Sequence, residues 1–183
     1  MYLSQSNKTS GVSVDNGVGL ITNFVLQVLR QQLINLKFNI MLVNVSYNDK
    51  ELIRKIDATV GRQFSLLDRF RMGGNGSPKL FISGSSPEIA HLLSMDKYTN
   101  TCNIELRPNG LILRFRSLLE TYGLVIPYFK LTVYKNNATD YSIFSDQHQL
   151  NVSSRQKGIH DFFSKIIQRK AEFSNQLKPV SIN

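Results

Sequence analysis

The sequence predicts an α+β protein with a bent antiparallel sheet or partly open β-barrel, a C-terminal amphipathic helix that caps it, and an N-terminal α/β extension. Three observations predict this class. Apolar and polar residues alternate around an Asn-Gly pair between Cys102 and Phe115, as in an antiparallel hairpin with one buried face. Further short β-type segments follow over residues 122–152. Apolar residues then recur at helical spacing from Ile159 to Phe173.

The composition is that of a folded, basic protein. Hydrophobic residues make up 42% of the 183 residues, which is enough for a core and excludes global disorder. Lys and Arg number 22 against 13 acidic residues, for a formal charge of +9. The basic residues are evenly spread, which favours a solubilising surface charge over a clustered nucleic-acid footprint. Cys102 is the single cysteine, so an intrachain disulfide is excluded, and its inward position predicts a core residue.

The first residues predict a cytoplasmic location. Residues 1–16 are polar, so we expect a flexible N-terminus without the apolar region of a secretory signal. The most apolar window, residues 17–45, is interrupted by charged and amide residues. This excludes an uninterrupted membrane span of about 20 residues.

Residues 17–71 predict a helix-strand-helix extension. Apolar spacing over 18–36 indicates a helix, and 38–45 reads as a buried strand. Asn48, followed by Glu51, predicts the start of a helix over 49–71, with Gly61 as its weak point. The apolar face of this helix comprises Leu52, Ile56, Val60, Phe64 and Leu67. The basic residues lie largely elsewhere and are Arg54, Lys55, Arg62, Arg69 and Arg71.

A Gly-rich linker is predicted over residues 72–78. It does not have the Gly-Lys-Ser/Thr sequence of a phosphate-binding loop, because Ser-Pro separates Gly76 from Lys79. A strand over 79–83 and a helix that starts near Pro87 are expected next.

The register of the central hairpin follows from keeping the apolar faces together. A two-residue loop would place Leu106 opposite Leu113, whereas a four-residue loop would place it opposite Leu111. Pro108 has no N–H to donate, which favours the four-residue loop over 107–110. Gly110 would then adopt a positive φ.

The C-terminal part predicts four more strands, over 122–128, 129–134, 141–145 and 148–152. Ser153 and Ser154 are expected to cap the last helix, in which Asp161 and Lys165 would form an i,i+4 ion pair. Residues 174–183 are polar and predicted to be a flexible tail.

Residues 79–173 resemble a bacterial pleckstrin-homology-like domain. The likeness rests on the hairpin R-P-N-G-L-I-L-R-F-R, on T-Y-G-L-V-I-P-Y-F-K-L, and on short strands followed by a terminal helix. It implies a sheet bent into a partly open barrel with one end closed by that helix. The chain departs from the family in having no Trp in this helix and no Lys-x-n-Arg loop of the phosphoinositide-binding kind. Recognition of lipid headgroups is therefore not implied.

The sequence shows no catalytic constellation, cofactor motif or metal-ligand set. His91, His148 and His160 lie in unrelated surroundings, and Asp146-Gln147-His148 reads as a turn, although its Asp and His would share a face on a strand. A noncatalytic binding module is the leading hypothesis. It would recognise a protein segment through a sheet edge or groove, with candidate contacts Arg114, Arg116 and Lys130.

Two other functions are kept open. The 49–71 helix would bind an anionic membrane surface or nucleic acid through Arg54, Lys55, Arg62, Arg69 and Arg71. Self-association would instead pack the 18–36 helix against a second copy. Neither function requires a small-molecule cofactor.

Overall fold

A computed structural model describes residues 25–26, 40–95 and 100–177. The chain divides into two compact units, residues 1–36 and 37–183. In the first unit the described residues are Val25 and Leu26, which are helical and exposed. The predicted helix over 18–36, with the self-association assigned to it, otherwise lies outside the described residues, as do segments 1–16 and 178–183.

The described part of the second unit contains both helices and strands, which confirms the α+β class. Its strands are β1 (Met41–Asn44), β2 (Leu80–Ser85), β3 (Thr101–Arg107), β4 (Gly110–Ser117), β5 (Glu120–Pro127), β6 (Thr132–Lys135), β7 (Asp140–Ser145) and β8 (His148–Ser153). Its α-helices are α1 (Lys50–Val60), α2 (Leu66–Arg71), α3 (Pro87–Ser94) and α4 (Ile159–Gln176), and a 3-10 helix spans Tyr128–Lys130.

The strands form one antiparallel sheet in the order β1-β5-β4-β3-β2-β8-β7-β6. Strands β2 to β5 form one meander and β6 to β8 a second, and the two join where β2 pairs with β8. Strand β1 adds to β5, with Met41 opposite Val125. The segment predicted as an N-terminal extension therefore contributes a strand to the same sheet.

The register of the β3–β4 hairpin is the one that the apolar alternation allowed and Pro108 favoured. Leu106 lies opposite Leu111 and Ile104 opposite Leu113, so the predicted register is confirmed. The predicted four-residue loop is wrong, because Arg107 pairs with Gly110 and leaves only Pro108 and Asn109 in the turn. The positive φ predicted for Gly110 is wrong. Instead, close packing requires a glycine at this position. A Cβ there would lie against the Ile126 carbonyl oxygen and 2.7 Å from Val60 Cγ1.

The inner face of the sheet carries the main core, which α4 covers. Cys102, Ile104, Leu106, Leu113 and Phe115 belong to one buried cluster with the apolar residues of α4. Those α4 residues are Ile159, Phe162, Phe163 and Ile166. Each buried phenylalanine stabilises the fold by about 1.5–3 kcal/mol, so apolar packing holds the C-terminal helix on the sheet.

Helix α4 departs from its prediction in two ways. It begins at Ile159 after Gly158 (φ 87°), so the predicted Ser153–Ser154 cap is wrong. Strand β8 continues through Ser153, which pairs with Phe81. The predicted Asp161–Lys165 pair is also wrong, because Lys165 Nζ donates to the carbonyl oxygens of Met72 (2.7 Å) and Gly74 (3.0 Å).

The Gly-rich segment 72–78 is hydrogen-bonded to β3 as well as to α4. The Ser77 N–H donates to the Ile104 carbonyl at 2.8 Å. The Leu106 N–H donates to the Asn75 carbonyl at 2.7 Å. A segment predicted as a linker thus extends the pairing beside β3.

The outer face of the sheet is partly covered by α1. Ile56 and Val60 pack there on Ile112 and Val125, so β4 and β5 are buried on both faces. The single helix predicted over 49–71 is wrong, because Gly61 (φ 85°) ends α1 and a separate α2 begins at Leu66. The predicted Asn48 cap is wrong by one residue. Asp49 caps α1, and its side chain accepts from the N–H groups of Glu51 (2.8 Å) and Leu52 (3.2 Å).

Replacing Gly110 with Ala tests the close approach of the hairpin to α1 and β5. The new Cβ would force apart backbone atoms that cannot relax independently, so we expect the free energy of unfolding to fall by about 3 kcal/mol. The measurement is urea denaturation followed by circular dichroism. Gly76→Ala is the matched control, since a Cβ at Gly76 meets nothing within 4 Å. Equal urea midpoints for the two variants would contradict this account of Gly110.

Candidate functional site

A groove of about 700 Å³ lies between α1, the loop before it, and the outer face of the sheet. Its lining residues come from segments 45–63 and from β3 and β4. They are Val45, Ser46, Tyr47, Asn48, Leu52, Ile53, Ile56, Asp57, Arg62, Gln63, Arg107 and Arg114. The groove has the size of ligand pockets in general and combines an apolar side with a charged floor.

The apolar side comes from α1 and the preceding loop. Leu52, Ile53 and Ile56 lie within about one helical turn, so they share one side of α1. Ile56 is buried against the sheet, whereas Ile53 is 43% exposed and Tyr47 73% exposed. The groove therefore presents apolar side chains that the fold itself leaves uncovered.

The charged floor is built around Arg107, whose side chain is only 4% exposed. Its Nε donates to Glu105 Oε1 at 2.7 Å, and its Nη1 donates to Asp57 Oδ1 and to the Gly61 carbonyl, both at 3.2 Å. The second Glu105 oxygen accepts from Arg114. These contacts join the C-terminal end of α1 to β3 and β4, so a buried guanidinium fixes the position of α1 over the sheet.

A second hollow of about 310 Å³ adjoins the groove, because both are lined by Gln63 and Arg114. Its other lining residues are Arg69, Asn75, Gly76, Ser77, Asn103, Ile104 and Glu105. The charged residues that line the two hollows are Arg62, Arg69, Arg107 and Arg114, together with the carboxylates of Asp57 and Glu105. Four arginines against two carboxylates leave an excess of positive charge.

The candidate contacts Arg114, Arg116 and Lys130 do not form one cluster. Arg114 lines both hollows, and Arg116 lies two residues further along the same face of β4, where it is exposed. Lys130 follows β5, beyond the end that pairs with Gly110. Its Nζ lies 2.8 Å from Asp146 Oδ2, and its side chain is 15% exposed. An ion pair within the fold accounts for Lys130.

The basic residues predicted for the 49–71 helix are divided between separate elements. Arg54 and Lys55 are exposed on α1, where a hydrogen bond and the charge of Glu51 raise the pKa of Lys55. Arg62 lies in the loop after α1, at the groove. Arg69 donates to the Phe64 carbonyl at 3.0 Å and Arg71 ends α2. One basic helical face is therefore not formed.

The histidines occupy three different environments. His91 is exposed on α3, buried His148 lies 3.8 Å from Glu88 Oε2, and His160 contacts the Tyr141 hydroxyl. Asp146 lies in the turn between β7 and β8 and pairs with Lys130 rather than with His148. Within residues 25–26, 40–95 and 100–177, no cluster of three or more His, Cys, Asp and Glu side chains is arranged to hold a metal ion.

The part of the chain that the structure describes has no helix that combines the length and the apolar character needed to cross a bilayer. Comparison with family models, curated proteins and solved structures gives no match to this chain. Its function is therefore inferred from the groove and from the exposed surface around it.

Replacing Arg107 with Met tests the buried ion-pair network. The variant would leave Asp57 and Glu105 partly buried without their shared partner, so we expect a loss of about 3 kcal/mol in unfolding free energy. Urea denaturation is the measurement. The control Arg116→Met changes an exposed residue of β4 and is expected to shift stability by less than about 0.5 kcal/mol. Equal effects of the two substitutions would contradict a structural role for Arg107.

The reactivity of Cys102 in the unaltered protein tests whether the core is closed around its thiol. Burial raises the pKa of this thiol to about 12, and the thiolate is the reactive form. We expect native protein to react far more slowly at neutral pH with a thiol-specific aromatic disulfide than protein in denaturant. The absorbance of the released thiolate measures both rates. Equal rates in the two states would show that β3 and α4 do not enclose the thiol.

Proposed function

We propose that this chain is a noncatalytic binding module of pleckstrin-homology-like architecture that takes up an extended protein segment in the groove beside α1. The groove, with uncovered apolar side chains on one side and an arginine-rich floor, is the observation that carries the proposal. A cytoplasmic location is part of the same proposal.

The order of the strands supports the architectural part. A four-strand meander, β2 to β5, precedes a three-strand meander, β6 to β8, and an amphipathic helix ends the fold. The β2–β8 pairing has a register shift between Ile82 and Gly84, and such irregularities bend a sheet. Helix α4 covers the inner face, as the resemblance implies.

The lining of the groove favours a segment that carries both apolar and acidic residues. Apolar side chains of the segment would pack on Ile53 and Tyr47, whose apolar surfaces are otherwise exposed to solvent. A carboxylate would be attracted to Arg62 and Arg114, since the positive charge of the two hollows exceeds the negative charge. Apolar contact would supply affinity, and the arginines would fix the register of the segment.

The edge strand β6 is a weaker candidate for the same role. It is four residues long and ends at Lys135. Short edges that carry Lys are a common protection against pairing with another chain. The groove presents a larger and more specific surface.

Selection from a random peptide library on immobilised protein tests the proposed groove. We expect the enriched peptides to combine apolar and acidic residues. Ile53→Arg would fill the groove with a longer charged side chain, so it should weaken a selected peptide by roughly tenfold or more in Kd. Fluorescence anisotropy of the labelled peptide measures this effect.

Leu119→Arg is the matched control, because Leu119 is 90% exposed at the β4–β5 turn, away from the groove lining. It should leave the Kd unchanged. Circular dichroism of both variants verifies that each is folded. Peptides that bind Ile53→Arg as tightly as the unaltered protein would place the binding surface elsewhere and overturn the proposal.

A further inference from the structure

Helix α2 turns all of its large apolar side chains to solvent. Leu66 is 83% exposed, Leu67 57% and Phe70 86%, and none of the six helical residues is buried. A surface helix of a globular protein ordinarily buries its apolar side, and adjacent exposed apolar residues mark an interaction site. The exposed apolar side of α2 is therefore a candidate contact surface.

The helix is fixed in this orientation by its two ends. At the start, the Ser65 side chain accepts from the Asp68 N–H at 3.2 Å. At the end, Gly73 and Gly74 adopt positive φ, and the Gly74 N–H donates to the Arg69 carbonyl at 2.8 Å. These contacts hold the helix without burying its apolar residues.

The residue before the cap anchors α2 to the core. Phe64 packs against the main buried cluster, and the Arg169 guanidinium of α4 lies 5.5 Å from the centre of its ring. The chain thus partly buries Phe64 and presents the next three large apolar residues outward. The outward orientation of α2 is part of the fold.

The charges on α2 are arranged around its apolar side. With 3.6 residues per turn, Leu66, Phe70 and Leu67 fall on an arc of roughly 100°. Arg69 and Arg71 flank the arc on its two sides. Asp68 lies opposite, where its carboxylate accepts from the Ser65 hydroxyl at 2.7 Å.

We propose that α2 is a membrane-contact element that inserts Leu66, Leu67 and Phe70 among the lipids of an anionic bilayer. Arg69 and Arg71 would lie at the level of the lipid phosphates, and Asp68 would face away from them. Interfacial amphipathic helices have this arrangement of apolar and cationic residues, and α2 has it within six residues. The short apolar arc predicts reversible binding that weakens as salt screens the arginines.

A bilayer fits this surface better than other occupants. A second copy of the chain would bring another +9 charge, with its own arginines, against the first. Nucleic acid would attract the arginines but would leave the aliphatic side chains without a suitable contact. The bilayer satisfies the apolar arc and its cationic flanks together. The proposed element lies on α2, outside residues 79–173, and Arg54 and Lys55 of α1 are not part of it.

Vesicle flotation tests this proposal with two lipid mixtures, phosphatidylcholine alone and phosphatidylcholine with phosphatidylserine. We expect flotation at low salt with the anionic vesicles and little with the neutral ones. Leu66→Ser combined with Phe70→Ser should lower the bound fraction at least about tenfold, because the principal apolar contacts are lost. Arg71→Gln should weaken partitioning about fivefold.

The matched control combines Leu119→Ser with Ile167→Ser, two residues that are 90% and 55% exposed on other elements. It should float like the unaltered protein. Circular dichroism and urea midpoints verify folding of each variant. Absence of flotation, equal flotation with neutral vesicles, or unchanged flotation of the Leu66→Ser/Phe70→Ser variant would each overturn the proposal. Light scattering that shows a dimer lost in that variant would assign α2 to a second copy and overturn it as well.

Discussion

Interactions at the tip of the β3–β4 hairpin connect α1, on the outer face of the sheet, to the main core on the inner face. On the outer side, the Arg107 guanidinium holds α1 through Asp57 and the Gly61 carbonyl. On the inner side, the Arg107 carbonyl accepts from the hydroxyl of Tyr128, a residue of the main core, at 3.1 Å. Gly110 lets β5 and Val60 approach at the same place. Arg107 and Asp57 both line the groove, so this joint holds α1 and the sheet at the groove in fixed positions.

The sequence predicted the register of this hairpin but not the burial of Arg107. Period-two alternation assigns Glu105 and Arg107 to the outer face, because side chains alternate on a strand. Alternation carries no information on what covers that face. Helix α1 covers it, and this contact joins residues 50 positions apart in the chain. Long-range packing of this kind leaves no periodic signal.

Local signals failed where two elements competed for the same residues. Ser153 and Ser154 resemble a helix cap, but pairing of Ser153 with Phe81 extends β8 instead. The spacing of Lys165 from Asp161 predicts an ion pair, but the Lys165 ammonium group instead donates to carbonyl oxygens of the 72–78 segment. In both cases a tertiary contact outweighs a local interaction, which is worth about 0.5–2 kcal/mol for a helix cap and about 0.2–0.5 kcal/mol for an i,i+4 ion pair. The break at Gly61 is the opposite case, since that glycine was visible as the weak point of the predicted helix.

The same break explains why the candidate surfaces were predicted only in part. Arg114 was found because it faces outward on β4, whereas Ile53 and Tyr47 had no signal that distinguished them from ordinary surface residues. Phe64 and Leu67 were assigned to one apolar side of a continuous helix. With the helix interrupted, Phe64 packs partly buried against the core and Leu67 is exposed to solvent.

Arg69 connects the two proposed surfaces. It lines the second hollow, and it flanks the apolar arc of α2. Its Nε and Nη2 already donate to the Phe64 carbonyl and to Gln63 Oε1, both at 3.0 Å, so its position is fixed. Three of its five N–H donors remain, and a carboxylate in the hollow and a lipid phosphate would compete for them. Occupation of the hollow by an acidic segment would therefore oppose contact of Arg69 with the bilayer, although the apolar arc would still be free to insert.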